Sequence, residues 1–437
     1  MIIGGHHVTG LPESLDKPFD VGVMGEGEGA LSDIVELLKH GNSYTTTDLK
    51  KIPNLVFRDT HGNLILNPKR PLLAPEEIPV NQWDLLPKEH IVQHKILFHD
   101  GVVTSEALTG IFTARGCPYR CIFCARQVLW KEGGGYRVFP IDYVVDEMEL
   151  LYKKYHISHI WFADDTFAVS KERLRKFIEE LRKRKLLGVI KIPGVFVRSN
   201  LVDREVVDLL KELGVYRVTL GIESGSNKML RYLKSGPITV QQVKNAIQLF
   251  AKQGIYVGGN IMLFSPHETP HDLALSYKLS QWFIKQPNAV SLDFYLTTPY
   301  PGTGLWNEAV REGVLDSKKV NSAKFVLLPK FLDVNKYIFF RNGKSTKFLQ
   351  REWKRFYSLS ERLRLKVEKT PGWETAIQRK EKENRLNDIR FAMKVRIRLF
   401  INNPLRGVWR LCTNSAVWKR IYFDTMQLLK NLKSQYT

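Results

Sequence analysis

Three of the four cysteines in this 437-residue chain fall within eight residues, Cys117-Pro-Tyr-Arg-Cys121-Ile-Phe-Cys124. Thiols this close do not make a disulfide framework; they read as a metal site in a reducing compartment. Spacings of four and three let three thiolates wrap one [4Fe-4S] cubane, ligating three irons and leaving the fourth open, as a reactive cluster requires. The competing arrangement is a zinc knuckle completed by a His or Cys from elsewhere. Cys412 stands alone and reads as an ordinary buried thiol.

The surrounding pattern says what holds this loop. From Thr104 to about Pro301, strands at 111–113, 159–162, 195–197, 216–220, 257–263 and 291–296 alternate with helices at 140–155, 171–185, 203–213 and 240–253. This alternation predicts an α/β fold with a partial parallel (β/α)6 barrel, its active site at the carboxyl ends of the strands. The cysteine loop directly follows the first strand. Ahead of the barrel, 1–75 reads as a small domain of strand, glycine turn and helix with a hairpin at 53–69, and proline-rich 76–103 reads as a linker. The barrel is expected over 104–325, with a basic helical region over 326–437.

Cys-x3-Cys-x2-Cys, with the aromatic Phe123 before the last cysteine, resembles the signature loop of the radical S-adenosylmethionine (SAM) superfamily. The resemblance implies a [4Fe-4S] cluster on Cys117, Cys121 and Cys124 whose open iron chelates SAM. One electron then cleaves SAM to a 5′-deoxyadenosyl radical. Phe162-Ala-Asp-Asp165 ends the second strand where related enzymes meet the SAM amino group, and Asp164 and Asp165 are the matching residues; capping of the next helix is the bland alternative. Arg198, Glu223 and Ser224, at the ends of the third and fourth strands, match groups that hold the carboxylate, ribose and methionyl parts. An Arg198–Glu223 ion pair that only shapes the pocket is the alternative. Gly259 on the fifth strand is expected to let the adenine approach the backbone. Ser265 and His267 stand where the family usually has glycine, which puts that turn in question. Pro299-Tyr-Pro-Gly-Thr303 resembles the family's closing loop.

The closest subgroup is the cobalamin-dependent class, including anaerobic magnesium-protoporphyrin ester cyclases and carbon and phosphorus methylases. Its Gly-Gly-x-His-x-Thr stretch is matched by Gly4, Gly5, His7 and Thr9, and its Gly-Glu-Gly-Glu by Gly25, Glu26, Gly27 and Glu28. The subgroup's Asp-x-His-x-x-Gly loop, whose histidine can ligate cobalt, has no counterpart here. Half of a Rossmann-like cobalamin-binding domain is therefore expected, with one sheet edge and face exposed, and His6 and His7 read as loop residues beside a corrin.

The net charge of +21 is concentrated late: from Arg341 onward there are 24 Lys plus Arg against 8 Asp plus Glu. Trp353, Phe356, Tyr357, Phe391, Phe400, Trp409 and Trp418 interleave with these cations. A solvated basic face is the plain reading; of the alternatives, membrane-surface contact is favoured over nucleic acid, because 395–411 mixes Arg with Ile, Leu, Phe and Trp. No apolar run reaches the roughly 18 to 20 residues of a spanning helix, and a cytoplasmic enzyme, peripheral at most, is expected. The resemblance further implies a small-molecule or lipid-like substrate and a one-electron donor such as flavodoxin or ferredoxin. Cobalamin-assisted methyl transfer leads the functional readings, followed by ring formation or rearrangement without cobalamin. A non-catalytic metal scaffold with a tail that binds RNA or membrane is the reading from another class.

Overall fold

The computed structural model describes residues 1–16, 18–39, 44–99, 102–129, 135–234, 236–317 and 337–369. At the N-terminus, β1 (Ile2–Gly4) leads through α1 (His6–Gly10) to β2 (Val21–Val23), then α2 (Glu28–Lys39), α3 (Thr46–Leu49) and the hairpin β3 (Leu55–Arg58) and β4 (Leu64–Leu66). The sheet order is β1-β2-β3-β4; β1 runs parallel to β2 and the rest antiparallel. One face of β2 and β3 packs on Ala30 and Ile34 of α2. The other is covered by Val8, Leu15 and Met24. The edge at β1 is open, with Ile2 45 % exposed, but the expected bare face is not found, because both faces are covered.

The stretch expected as a linker is more structured than its prolines suggest. After Pro87 come α4 (Lys88–Ile91) and β5 (Gln93–His99), and β5 pairs antiparallel along β6 (Val102–Ile111). Proline breaks ladders by lacking an N–H. The last proline before β5 is Pro87, so every residue of the new strand can donate.

Beyond the short hairpin β7 (Ala114–Gly116) and β8 (Tyr136–Val138), the barrel alternates regularly. The order is α5 (Ile141–Tyr155), β9 (His159–Phe162), α6 (Lys171–Lys183), β10 (Val195–Val197), α7 (Arg204–Glu212), β11 (Arg217–Glu223), α8 (Asn227–Leu233), α9 (Val240–Lys252), β12 (Tyr256–Leu263), α10 (Pro270–Phe283) and β13 (Ala289–Leu296). Strand β6 pairs parallel with β9, and β10-β11-β12-β13 form a second parallel run. Parallel bridges His159–Lys191 and Ile192–Val215 join the two runs just before β10. The six parallel strands thus follow one another in chain order, as the alternation predicts. Their outward residues, such as Ile160, Val218, Ile261 and Leu292, share one core with the helices.

Helix α11 (Gly304–Arg311) and helix α12 (Thr346–Glu368) complete the described part. Trp353 and Phe356, expected in a basic surface segment, are instead buried on α12, where Phe356 meets the rings of Phe294 and Tyr277. The heptad-like apolar spacing from Leu349 to Val367 accounts for this: it makes one face of α12 a cover for β13, so these aromatics are closed to membrane or nucleic acid. Phe391, Phe400, Trp409, Trp418 and Cys412 lie outside the described residues. Residues 1–376 form one compact unit.

Candidate active site

The cysteine loop leaves the β7 end of the hairpin at the carboxyl end of the first barrel strand. Gly116, immediately before Cys117, has φ +82°, and a Cβ there would lie 1.5 Å from the Gly135 carbonyl oxygen. Only glycine permits that approach. Further along, the Ile122 N–H donates to the Leu233 carbonyl at 3.1 Å, and the Ile122 carbonyl accepts from the Leu305 N–H at 3.1 Å. The loop is therefore clamped between α8 and α11 through its backbone. Phe123 is half-buried within the turn closed by Cys124 N–H donating to the Cys121 carbonyl at 3.0 Å.

Burial pushes the Cys117 thiol up to about 11 and the Cys124 thiol up to about 12, and each is raised further by the neighbouring cysteines. Cys117 and Cys124 thus resist ionisation as free thiols, whereas a coordinating metal deprotonates a thiol outright. Among the described residues, the His/Cys/Asp/Glu trio with all donor atoms within 4.8 Å of one another is His267, Glu308 and Glu312. The cysteines offer three soft sulfur donors, a set that suits three irons of a cubane.

Arg198 stands over the Tyr119 ring at 3.7 Å and donates through Nη1 to the Cys121 sulfur at 3.1 Å. Its Nε donates to Asn200 Oδ1 at 3.2 Å. Arg126 pairs with Asp165 at 3.0 Å, and burial raises the Asp165 carboxyl. Arg198 and Asp165 therefore both border the thiols, as their positions at strand ends predict. The hydroxyls of Thr166 and Ser199, buried near the ends of β9 and β10, have no hydrogen-bond partner among the described residues, which suits a polar cofactor beside the cluster.

The Asp164 side chain is taken up by the cysteine hairpin, which leaves its backbone for the expected meeting with the SAM amino group. Its carboxylate accepts from the Thr113 N–H at 2.6 Å, the Thr113 hydroxyl and the Ala114 N–H at 3.2 Å, although burial pushes it up to about 6. It ties β9 to the start of the cysteine hairpin and caps no helix, so its side chain is committed to holding the loop. Ser224 is likewise engaged: its hydroxyl meets that of Ser276 at 3.1 Å and accepts from the Ser226 N–H at 3.1 Å. Gly259 faces outward, where a Cβ would meet Ile222, Leu292 and Phe283; the inward glycine is Gly258, against Ser291, Arg217 and Thr219. The parity of a strand cannot be read when two glycines stand side by side.

Glu223 is buried and held at φ +61°, a conformation that costs a non-glycine residue about 1–3 kcal/mol. Its partner is Lys234 rather than Arg198: Nζ stands 3.3 Å from Glu223 Oε1 and donates to the Gly221 carbonyl at 2.6 Å, with the side chain 4 % exposed. No spacing rule points from Glu223 to a lysine beyond the next helix. The turn with Ser265 and His267 keeps a glycine-like path, with Phe264 at φ +60° and His267 at +59°. Glu268 accepts from the Ser265 N–H at 3.1 Å, and Asn342 donates to the Ser265 carbonyl at 2.8 Å. These bonds stabilise what glycine would otherwise permit.

In the N-terminal unit, Gly5 has φ +98° with open space around it, and Gly25 has φ +74°. The Gly25 N–H donates to the Thr9 hydroxyl at 2.9 Å, joining the two glycine loops. Gly4 packs beside Val23. His7 is half-exposed, and the His6 Nε2 is buried without a partner among the described residues, its ring held to the neutral side by burial and Arg126. Glu26 does not face a ligand: Arg115 binds it at 3.1 Å and Arg137 at closer range, with Glu28 on Arg115 at 2.6 Å. These pairs fasten the unit to the hairpin that carries the cysteines. The loop backbones of Gly4, Gly5 and Gly25 can border a large flat cofactor; Glu26 cannot.

The profile of the Radical SAM superfamily matches residues 111–279. An uncharacterised methyltransferase of Pyrococcus horikoshii is 30% identical over 361 residues, covering 82% of this chain and 72% of that protein. The chain belongs to the radical SAM superfamily. The anaerobic magnesium-protoporphyrin IX monomethyl ester cyclase of Rubrivivax gelatinosus is 26% identical over 76% of this chain, which spans 57% of that enzyme. Among solved structures, the radical SAM methyltransferase TsrM of Kitasatospora setae superposes with a TM-score of 0.54 at 21% identity, covering 71% of this chain and 57% of that one. The cobalamin-dependent radical SAM enzyme OxsB superposes with a TM-score of 0.55 at 16% identity, over 91% of this chain and 68% of that one. These two likenesses show the fold. Membership makes the chain an enzyme whose cofactors are a [4Fe-4S] cluster and SAM.

Proposed function

We propose that the protein transfers a methyl group to a small molecule with the assistance of cobalamin. The observation that carries this reading is the seat of the N-terminal sheet on the barrel: the glycine loops of β1 and β2 sit on the element that presents the cysteines, through Glu26, Arg115 and Arg137. Gly10 packs so tightly on Pro301 that a Cβ would lie 2.4 Å from its carbonyl. A corrin bordered by Gly4, Gly5 and Gly25 would thus lie next to the barrel mouth. The methyltransferase and cyclase relatives support the same class.

Cys117, Cys121 and Cys124 would hold the cluster, and with SAM bound it supplies 5′-deoxyadenosyl radical chemistry. Arg198 sets the charge beside Cys121, Glu223 offers acceptors for the ribose hydroxyls, and Lys234 holds Glu223 in place. The clamped loop and the buried strand ends exclude water from the reacting groups. We place the enzyme in the cytoplasm, reduced by a flavodoxin- or ferredoxin-like donor, with the basic tail beyond α12 touching an anionic membrane surface. The test is corrin retention: after anaerobic loading and desalting, about one cobalamin per chain is expected, with deuterium from methyl-labelled SAM entering a low-mass product of a host metabolite extract. SAM cleavage with neither corrin nor label would overturn methyl transfer and leave ring formation or rearrangement.

A further inference from the structure

The barrel interior carries a two-sided chemistry that the cofactor residues leave unused. Side chains alternate along a strand, and Ile160, Leu220, Ile261 and Leu292 belong to the helix-facing core. The opposite parity points inward. Leu108 and Tyr216 bury against each other across the barrel and close its floor, with the His159 ring edge-on to Tyr216 at 6.4 Å. Above this floor, Trp161 and Phe196 lie with ring centroids 6.1 Å apart. Phe112, the residue after β6, continues the inward parity and is 44 % exposed.

The facing wall is polar. Asn260 of β12 is in register with Asp293 of β13, and Met262 with Tyr295. Tyr295 is 39 % exposed despite its inward position. Arg217 reaches in from the lower end of β11, donates to Ser291 Oγ at 3.2 Å and interacts electrostatically with Asp293. The wall therefore offers acceptors, with the Arg217 cation beside them. An aromatic wall opposite a hydrogen-bonding one suits a flat ring with a polar edge.

We propose that this chamber binds a planar, ring-containing small molecule bearing an N–H or O–H donor, its face against Trp161, Phe196 and Phe112 and its donor on Asp293. The inference rests on the reading of the barrel as the substrate site and names the class of substrate. Long flexible alkyl chains gain nothing from such rings beyond area.

Saturation-transfer NMR titrations of the reconstituted holoenzyme with indole, 1-methylindole and 1-octanol test it. Indole is expected to bind saturably, with 1-methylindole and octanol each at least about fivefold weaker, the size of one lost hydrogen bond or ring contact. Asp293→Ala should erase the advantage of indole over 1-methylindole, and Trp161→Leu should weaken both indoles about fivefold. Iron content at the wild-type level shows that both variants fold. Octanol binding as tightly as indole, no saturable indole binding, or variants that leave the ratios unchanged would overturn the proposal. SAM cleavage without substrate is measured in parallel; its loss with indole binding intact sinks the functional reading instead.

Discussion

Replacing Gly116 by alanine probes how the loop is positioned without touching a ligand. Gly62 provides the control, because its φ of +84° nearly equals the +82° of Gly116 and nothing lies within 4 Å of its Cβ position. Gly62→Ala should therefore cost only the left-handed dihedral, about 1–2 kcal/mol. At Gly116 the added Cβ meets the Gly135 oxygen at 1.5 Å, so β8 must retreat by more than its own hydrogen bonds tolerate. The ladder pairs Ala114 with Val138, Arg115 with Arg137 and Gly116 with Tyr136. Losing two or three such bonds at about 1 kcal/mol each brings the total to about 3–5 kcal/mol. Iron and acid-labile sulfide per chain after anaerobic reconstitution should fall to less than about one quarter of the cubane complement in Gly116→Ala and stay near it in Gly62→Ala. A full cluster in Gly116→Ala would refute the claim that the hairpin sets the loop.

Lys234→Met leaves the buried Glu223 carboxylate without its ion-pair partner, and breaking a buried pair costs about 3–5 kcal/mol. The apparent affinity for SAM should drop at least tenfold while iron content holds, and Glu223→Gln should partly rescue the double variant; unchanged SAM binding in Lys234→Met would count against Glu223 as a ribose group. Glu268 gives a pH signature. Burial pushes it up to about 8 from 4.5, so the folded chain keeps a proton that the unfolded chain releases above 4.5, and stability falls as pH rises from 4.5 to 8. Relative to Glu268→Gln, the wild type should lose stability on the order of 3 kcal/mol between pH 5 and 8 in thermal or urea unfolding; parallel pH profiles would show the carboxyl to be ionised throughout.

The cysteine spacing and the strand alternation were legible because each is a local pattern with one physical cause. Three thiols within eight residues demand a shared centre, and a period of two followed by a period of 3.6 demands strand then helix. Arg198 and Asp165 were found the same way, as polar residues at strand ends. What escaped depends on long-range placement. The Asp164 side chain holds backbone N–H groups of the cysteine hairpin, and the Ser224 hydroxyl meets Ser276 and its own turn, uses that their positions do not reveal. Lys234 reaches Glu223 from the next loop, and Gly259 turned outward because register is decided by neighbouring strands. The α12 aromatics illustrate the same limit: interleaved cations suggested a surface, while the apolar stripe beneath them covers β13.

The most direct measurement is anaerobic: reconstitute the chain with iron and sulfide, add SAM and dithionite, and quantify 5′-deoxyadenosine by mass spectrometry, with Cys121→Ala beside it. The account predicts product from the wild type and none from Cys121→Ala. A wild type that carries a full cluster yet yields no 5′-deoxyadenosine would contradict it.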